Sequence, residues 1–137
     1  MNLGFQRSGE MNNTNKFDPT TKKIAKVLLR QVIDNKYNPL ITYGEVSNRL
    51  NGEVAPENLK PFLYVIADFC KENNFPYLTA IVCTQKYGMP GNGFYKTYFP
   101  EVGKDEKERM KTLNSCLNEI MEYNNWDELV EYMELDK

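Results

Sequence analysis

Six residues, Gly88-Met89-Pro90-Gly91-Asn92-Gly93, hold three glycines and a proline. Such a segment is either a tightly shaped connection or a place where backbone closes on something that a side chain would block. An apolar run, Leu78 to Cys83, leads into it through Thr84-Gln85-Lys86-Tyr87, and an aromatic run, Phe94 to Phe99, leaves it. Two strand-like runs on either side of a glycine-proline turn predict a β-hairpin over 78–83 and 94–99. Two roles for the glycines stay open: closing the turn, or letting backbone amides meet a phosphate or a base edge. The G-x-x-x-x-G-K-[ST] run of a P-loop is absent.

The 137 residues fit one domain with an adequate core of its own, at 41% hydrophobic and 26% charged content. No apolar run is long enough to span a bilayer, so no membrane partner is expected. Residues 1–16 are rich in Asn, Ser, Gly and Thr without periodicity, and read as a flexible arm lacking the apolar core of a signal peptide. The domain proper is expected over 17–137. Three cysteines, Cys70, Cys83 and Cys116, form an odd set without paired spacing, the pattern of reduced thiols in a cytoplasmic protein. The chain has no histidine. That removes the usual Ser-His-Asp and Cys-His arrangements and any His-containing zinc site. No catalytic residue, metal ligand or cofactor is therefore expected.

Helical signals dominate the rest. Asp18-Pro19 is an N-cap followed by proline at the first helical position, and Ile24, Val27, Leu28, Val32 and Ile33 recur at helical spacing, predicting a helix over 19–35. Thr42-Tyr43-Gly44-Glu45 has the spacing of a capping box, with Ile41 and Val46 placed as a hydrophobic staple, and predicts a short helix ending at Asn51-Gly52. A second helix is expected from Pro56, with Leu59, Phe62, Leu63, Ile66, Ala67 and Cys70 as its apolar stripe and Pro61 either in its first turn or at a kink. Helix, turn, helix and hairpin in that order are the order of a winged-helix domain. The expected fold is thus α/β (α+β), with a winged-helix-like core over 19–100. A helical cap over 103–135 follows, carrying Leu113, Leu117, Ile120 and Met121 on one helix and Trp126, Leu129, Val130 and Met133 on the next.

Charge divides along the chain. Residues 1–100 carry 12 Lys and Arg against 8 Asp and Glu, and residues 101–137 carry 5 against 11. A mildly basic body is compatible with nucleic acid. The acidic cap is either a solvated face or a docking surface for a protein partner.

The run Ile41-Thr42-Tyr43-Gly44-Glu45-Val46, followed by Ala80-Ile81-Val82-Cys83-Thr84-Gln85 and the glycine-rich turn, resembles the DNA-binding domain of alkylguanine-DNA alkyltransferases and their alkyltransferase-like relatives. Pro56-Glu57-Asn58-Leu59 and Thr84 to Phe94 are also similar to small DNA-reading domains found with HNH-type restriction endonucleases. The likeness covers about 40–94. It implies a DNA-binding or DNA-sensing accessory protein of the restriction, repair or phage-conflict type. It implies DNA contacts at Tyr43, Asn58, Lys60, Gln85, Lys86, Gly88, Pro90, Gly91, Asn92, Gly93 and Tyr95. Cys83 falls at the position of the alkyl-accepting cysteine, but Thr84 stands where that family has histidine and Gln85 where it has arginine. Without a base beside it a buried thiol is a poor nucleophile, so a non-enzymatic role is expected. The alternative is an inhibitor or adaptor that acts through the acidic helices on a nucleic-acid-handling protein.

Overall fold

A computed structural model describes residues 17–132. The flexible arm expected over 1–16 and the cap residue Met133 lie outside the described residues. Helix α1 spans Pro19–Asp34. The Asp18 carboxylate accepts from the Thr21 amide at 2.7 Å and from the Thr21 hydroxyl at 2.8 Å. These bonds, the amide first, hold its carboxyl below the ordinary carboxylate range. The face of α1 carrying Ile24, Ala25, Leu28, Leu29 and Val32 is buried in the core.

Strand β1 is Ile41–Thr42, and helix α2, Tyr43–Arg49, starts directly from it. Half of the expected capping box is present: the Thr42 hydroxyl accepts from the Glu45 amide at 3.1 Å. The Glu45 carboxylate turns instead to Arg49, at 3.2 Å. Ile41 and Val46 are both buried, as the staple requires. Residues 50–59 connect to helix α3, Lys60–Glu72, through a single 3₁₀ turn at Pro56–Asn58. This connection is longer than the tight turn of a helix-turn-helix. Pro61 falls in the first turn of α3, where its missing amide costs no hydrogen bond.

Both α2 and α3 end in a Schellman motif. Asn51 (φ 56°) and Asn74 (φ 61°) take the left-handed position. Gly52 N–H then donates to Ser47 O at 3.0 Å, and Phe75 N–H to Cys70 O at 2.9 Å. Asparagine tolerates this conformation better than most side chains.

The predicted hairpin is not there. Residues Leu78–Ile81 form a fully buried 3₁₀ turn, strand β2 is only Val82–Cys83, and residues Asn92–Tyr98 form helix α4. The strand that pairs with β2 is β1, and the pairing is parallel, with Ile41 opposite Val82 and Thr42 opposite Cys83. A short apolar run does not distinguish a strand from a buried helical turn. The aromatic run is helical because its apolar positions, 94, 95, 98 and 99, follow i, i+1, i+4, i+5 rather than strict alternation. Phe94 and Tyr95 are buried on that stripe while Lys96 and Thr97 face solvent. With no hairpin among the described residues, the wing of a winged helix is absent from them. The fold is mostly helical with a two-stranded parallel sheet, an α+β arrangement.

Helix α5, Glu106–Glu122, and helix α6, Trp126–Tyr132, supply the expected C-terminal helices. Asp105 caps α5 by accepting from the Lys107 amide at 2.8 Å. The α5 face with Leu113, Cys116 and Ile120 is buried, and α5 packs on the 78–81 turn. Trp126, Leu129 and Val130 are buried where α6 packs on α1, and the Trp126 indole donates to Ile120 O at 3.2 Å. No helix among the described residues is long and apolar enough to cross a membrane.

The Thr42 cap makes a direct prediction. Thr42→Ala should cost about 1 kcal/mol in urea unfolding, and Thr42→Ser should restore most of it, because only the hydroxyl serves the Glu45 amide. An equal loss in both variants would assign the effect to the strand position instead.

Candidate functional site

Parallel pairing brings the residues after β1 and the residues after β2 out at the same end of the two strands. Tyr43 follows β1, and the segment Thr84–Gly91 follows β2. That segment first closes on itself. Thr84 N–H donates to Met89 O at 2.9 Å, and Gly88 N–H donates to Thr84 O at 2.8 Å. Gly88 has φ +69°, which accounts for its glycine. Pro90 and Gly91 then pass the start of α2 and open α4.

A cavity of about 30 Å³ lies where α2, α3 and α4 meet. Tyr43, Lys60, Tyr64, Thr79, Tyr98 and, from the glycine-rich segment, Pro90, Gly91, Gly93 and Phe94 form most of its wall. The glycines here have a specific structural cause. A Cβ on Gly91 would stand 3.3 Å from the Tyr43 hydroxyl, and a Cβ on Gly93 would overlap the Tyr64 hydroxyl. The same Cβ would be 3.6 Å from Lys60 Nζ, which places the ammonium beside the α4 backbone. Glycine thus keeps Gly93 clear of the Tyr64 phenol and eases a tight approach of the Tyr43 phenol at Gly91.

The cavity lining is mostly apolar, and hydroxyl groups are among its few polar members. Tyr98 donates to Asp68 at 2.8 Å, joining α4 to α3. Burial, reinforced by that carboxylate, pushes the Tyr98 phenol far above its ordinary value. Burial also raises Tyr43, with the Gly91 backbone beside its oxygen pulling the other way. Thr79 is 5% exposed, and its hydroxyl has no hydrogen-bond partner in the structure. Rings from three segments back this wall. Phe94 lies 5.8 Å from Tyr77, 5.6 Å from Tyr98 and 5.7 Å from Phe99, and Tyr64 lies 6.3 Å from Tyr98.

The residues singled out from sequence divide into three groups. Tyr43, Lys60, Pro90, Gly91 and Gly93 converge on the cavity. Asn58, Gln85 and Lys86 are exposed outside it, with Lys86 Nζ 5.1 Å from the Tyr87 ring, and Gly88 serves the turn. Asn92 and Tyr95 are committed to a different task. Arg109 donates to the Asn92 side chain at 2.6 Å and lies 4.8 Å from the Tyr95 ring. The Tyr95 hydroxyl donates to Arg109 O at 3.1 Å, and its side chain is buried. The DNA contact expected at Tyr95 is thus replaced by a core contact that fastens α4 to α5. Tyr64, Thr79 and Tyr98 are the wall residues that the sequence reading missed. Tyr64 lies one turn after Lys60 on α3, a signal that was available. Thr79 carries none.

The thiols are shielded. Burial pushes Cys70 and Cys116 up to about 12, and also raises Cys83. Among the described residues no group of His, Cys, Asp and Glu is placed to hold a metal. The acidic side chains of α5, among them Glu106, Glu108, Glu119 and Glu122, are exposed. Comparison with protein-family models, curated proteins and solved structures gives no match in any of the three.

Two predictions follow from this geometry. Gly93→Ala should cost about 1–3 kcal/mol through overpacking, less whatever alanine gains in helix propensity. In a Tyr64→Phe background, where the overlapping oxygen is gone, the same change should be close to neutral or stabilising. A double-mutant cycle by chemical denaturation should give a coupling of about 1 kcal/mol or more, and additive effects would refute the contact. At neutral pH the folded protein should react with a thiol reagent much more slowly than the urea-unfolded chain. The rate should rise with pH, because raised thiol pKa values leave less thiolate at pH 7.

Proposed function

We propose that the chain is a non-enzymatic DNA-binding module that presents the mouth of the α2–α3–α4 cavity to DNA. The reading is supported by one observation above the others. Residues from three separate segments, Tyr43, Lys60 and Pro90 with Gly91 and Gly93, surround a single small cavity with an ammonium at its edge. Lys60 opens α3, so its charge can meet a phosphate without a desolvation cost deep in the protein. The exposed Lys86 lies on the turn that delivers Pro90 and Gly91 to the same cavity, and adds a second cation.

The cavity's size sets what it can accept. At about 30 Å³ the cavity is small. The module therefore holds DNA from outside and admits at most one small polar group, for which the Thr79 hydroxyl is the waiting partner. This agrees with the departures in sequence, since Glu57, Asn58 and Lys60 stand where an inserted arginine would be needed to extrude a base. A buried Cys83 without a neighbouring base supports a role without covalent chemistry. Modules of this kind serve beside restriction or repair enzymes.

Gel-shift or anisotropy titrations over duplex and single-stranded DNA at two salt concentrations test the proposal. The full chain should bind, and more tightly at low salt. Lys60→Ala and Lys86→Ala should each weaken binding about three- to tenfold and flatten the salt slope by about one unit. Thr79→Val should leave folding stability equal or higher, as it removes an unpartnered buried hydroxyl. A loss of DNA affinity in that variant would mark the hydroxyl as a ligand contact. No binding to either form of DNA at low salt would overturn the proposal.

A further inference from the structure

A second cationic feature lies at the other end of α2. The outward face of α1 carries Lys22, Lys23, Lys26 and Arg30, of which Lys22, Lys26 and Arg30 form an unbroken i, i+4 row. A row of like charges at that spacing disfavours a helix, so the intrinsic stability of α1 does not explain it. Lys23, Lys26 and Arg30 form one wall of a groove of about 370 Å³, and Arg49, Leu50 and Asn51 form the other. The neighbouring acids are accounted for one by one. Glu53 meets Lys23 at 3.0 Å, Asp34 meets Arg30 at 3.2 Å, and Glu45 meets Arg49 at 3.2 Å. These pairs are solvent-exposed and weakly held, so a stronger anion can displace the carboxylates. Lys22 and Lys26 have no ion pair among the described residues. Asp18, one turn before Lys22, spends its carboxylate on the Thr21 cap, so five cations stand against four acids along this face.

We infer that the α1–α2 groove binds the phosphodiester backbone of DNA, as a contact separate from the Lys60 cavity. The inference rests on the DNA-binding reading and adds to it a second anchoring surface that the sequence reading did not single out. A groove takes an extended chain of phosphates better than a lone anion, because its cations are spread along the helix axis instead of converging on a point. Lys22 to Arg30 covers eight residues, about 12 Å of helix, along which a duplex presents about seven phosphate charges. Tyr43 begins α2 at the cavity and Arg49 ends it at the groove, about 9 Å apart along the helix axis. That separation is short enough for one duplex to reach both ends.

The test uses the full chain and a short DNA duplex, with affinity read against salt concentration. Lys26→Ala/Arg30→Ala, which removes two cations of the groove wall, should lower low-salt affinity about tenfold or more, and reduce the slope of log K against log salt by about two units. Lys26→Arg, which keeps the charge, should bind like the parent, and circular dichroism should show both variants folded. If the parent binds DNA and the double variant keeps its affinity and slope, the groove inference falls and the DNA reading stands. If the parent binds no DNA, both fall. If the double variant loses binding to anionic lipid vesicles while its DNA binding is intact, the groove serves a membrane surface and the inference is overturned.

Discussion

The parallel pairing of Ile41–Thr42 with Val82–Cys83 is the constraint on which the site depends. It involves two residues on each side, yet it decides which segments meet. In a hairpin, the chain after the second strand returns toward the start of the first. In a parallel pair, both chains leave at the same end, so Tyr43 and the Thr84–Gly91 segment emerge together. The crossover between the strands carries α2 and α3, and this brings Lys60 and Tyr64 to the same place. A parallel connection needs such a crossover of a dozen or more residues. The cavity is therefore a consequence of strand direction, and no local feature of the glycine-rich segment would have produced it.

What was legible in the sequence was local. Asp18-Pro19, Thr42 with Glu45, and the two asparagine-containing helix ends fixed the starts or stops of α1, α2 and α3, because each satisfies orphan backbone groups with side chains or turn geometry only a few residues away. The apolar stripes of α1, α3 and α5 were visible for the same reason: helical periodicity is a short-range pattern. Strand partnership is not. Leu78–Cys83 gave no sign of whether it would pair forward or back, and its first four residues became a buried 3₁₀ turn. The aromatic run misled because tyrosine and phenylalanine favour strands on average, while their i, i+1, i+4, i+5 placement favoured α4. At the site, Tyr43, Lys60, Gly91 and Gly93 could be named in advance, but their meeting could not. Thr79 became a wall residue through tertiary packing alone.

The glycines carry the clearest revision. From sequence they fitted equally a turn that needs freedom and a backbone that must approach a ligand. Two different causes now apply. Gly88 needs its positive φ, and Gly91 and Gly93 make room for phenol oxygens from α2 and α3. The close approach is real, but the approaching groups belong to the protein. This shifts the weight of the DNA proposal away from the glycine backbone and onto the cations around it.

Charge then gives the molecule a direction. Lysines and arginines concentrate on α1, while α5 mixes Glu106, Glu108, Glu119 and Glu122 with Lys107, Arg109 and Lys111, and α6 adds Asp127 and Glu128. A net charge of −2 would on its own disfavour a polyanion. An uneven distribution behaves differently, because each face is felt separately once the partner is within a Debye length of about 8–10 Å. Helix α6 packs beside α1, so its acidic side chains bear on how a nucleic acid can approach that face. On the DNA-binding reading, the C-terminal helices thus have two physical effects. They bury Leu113, Cys116, Ile120 and Trp126 over the core, and their outer charge makes association strongly dependent on orientation.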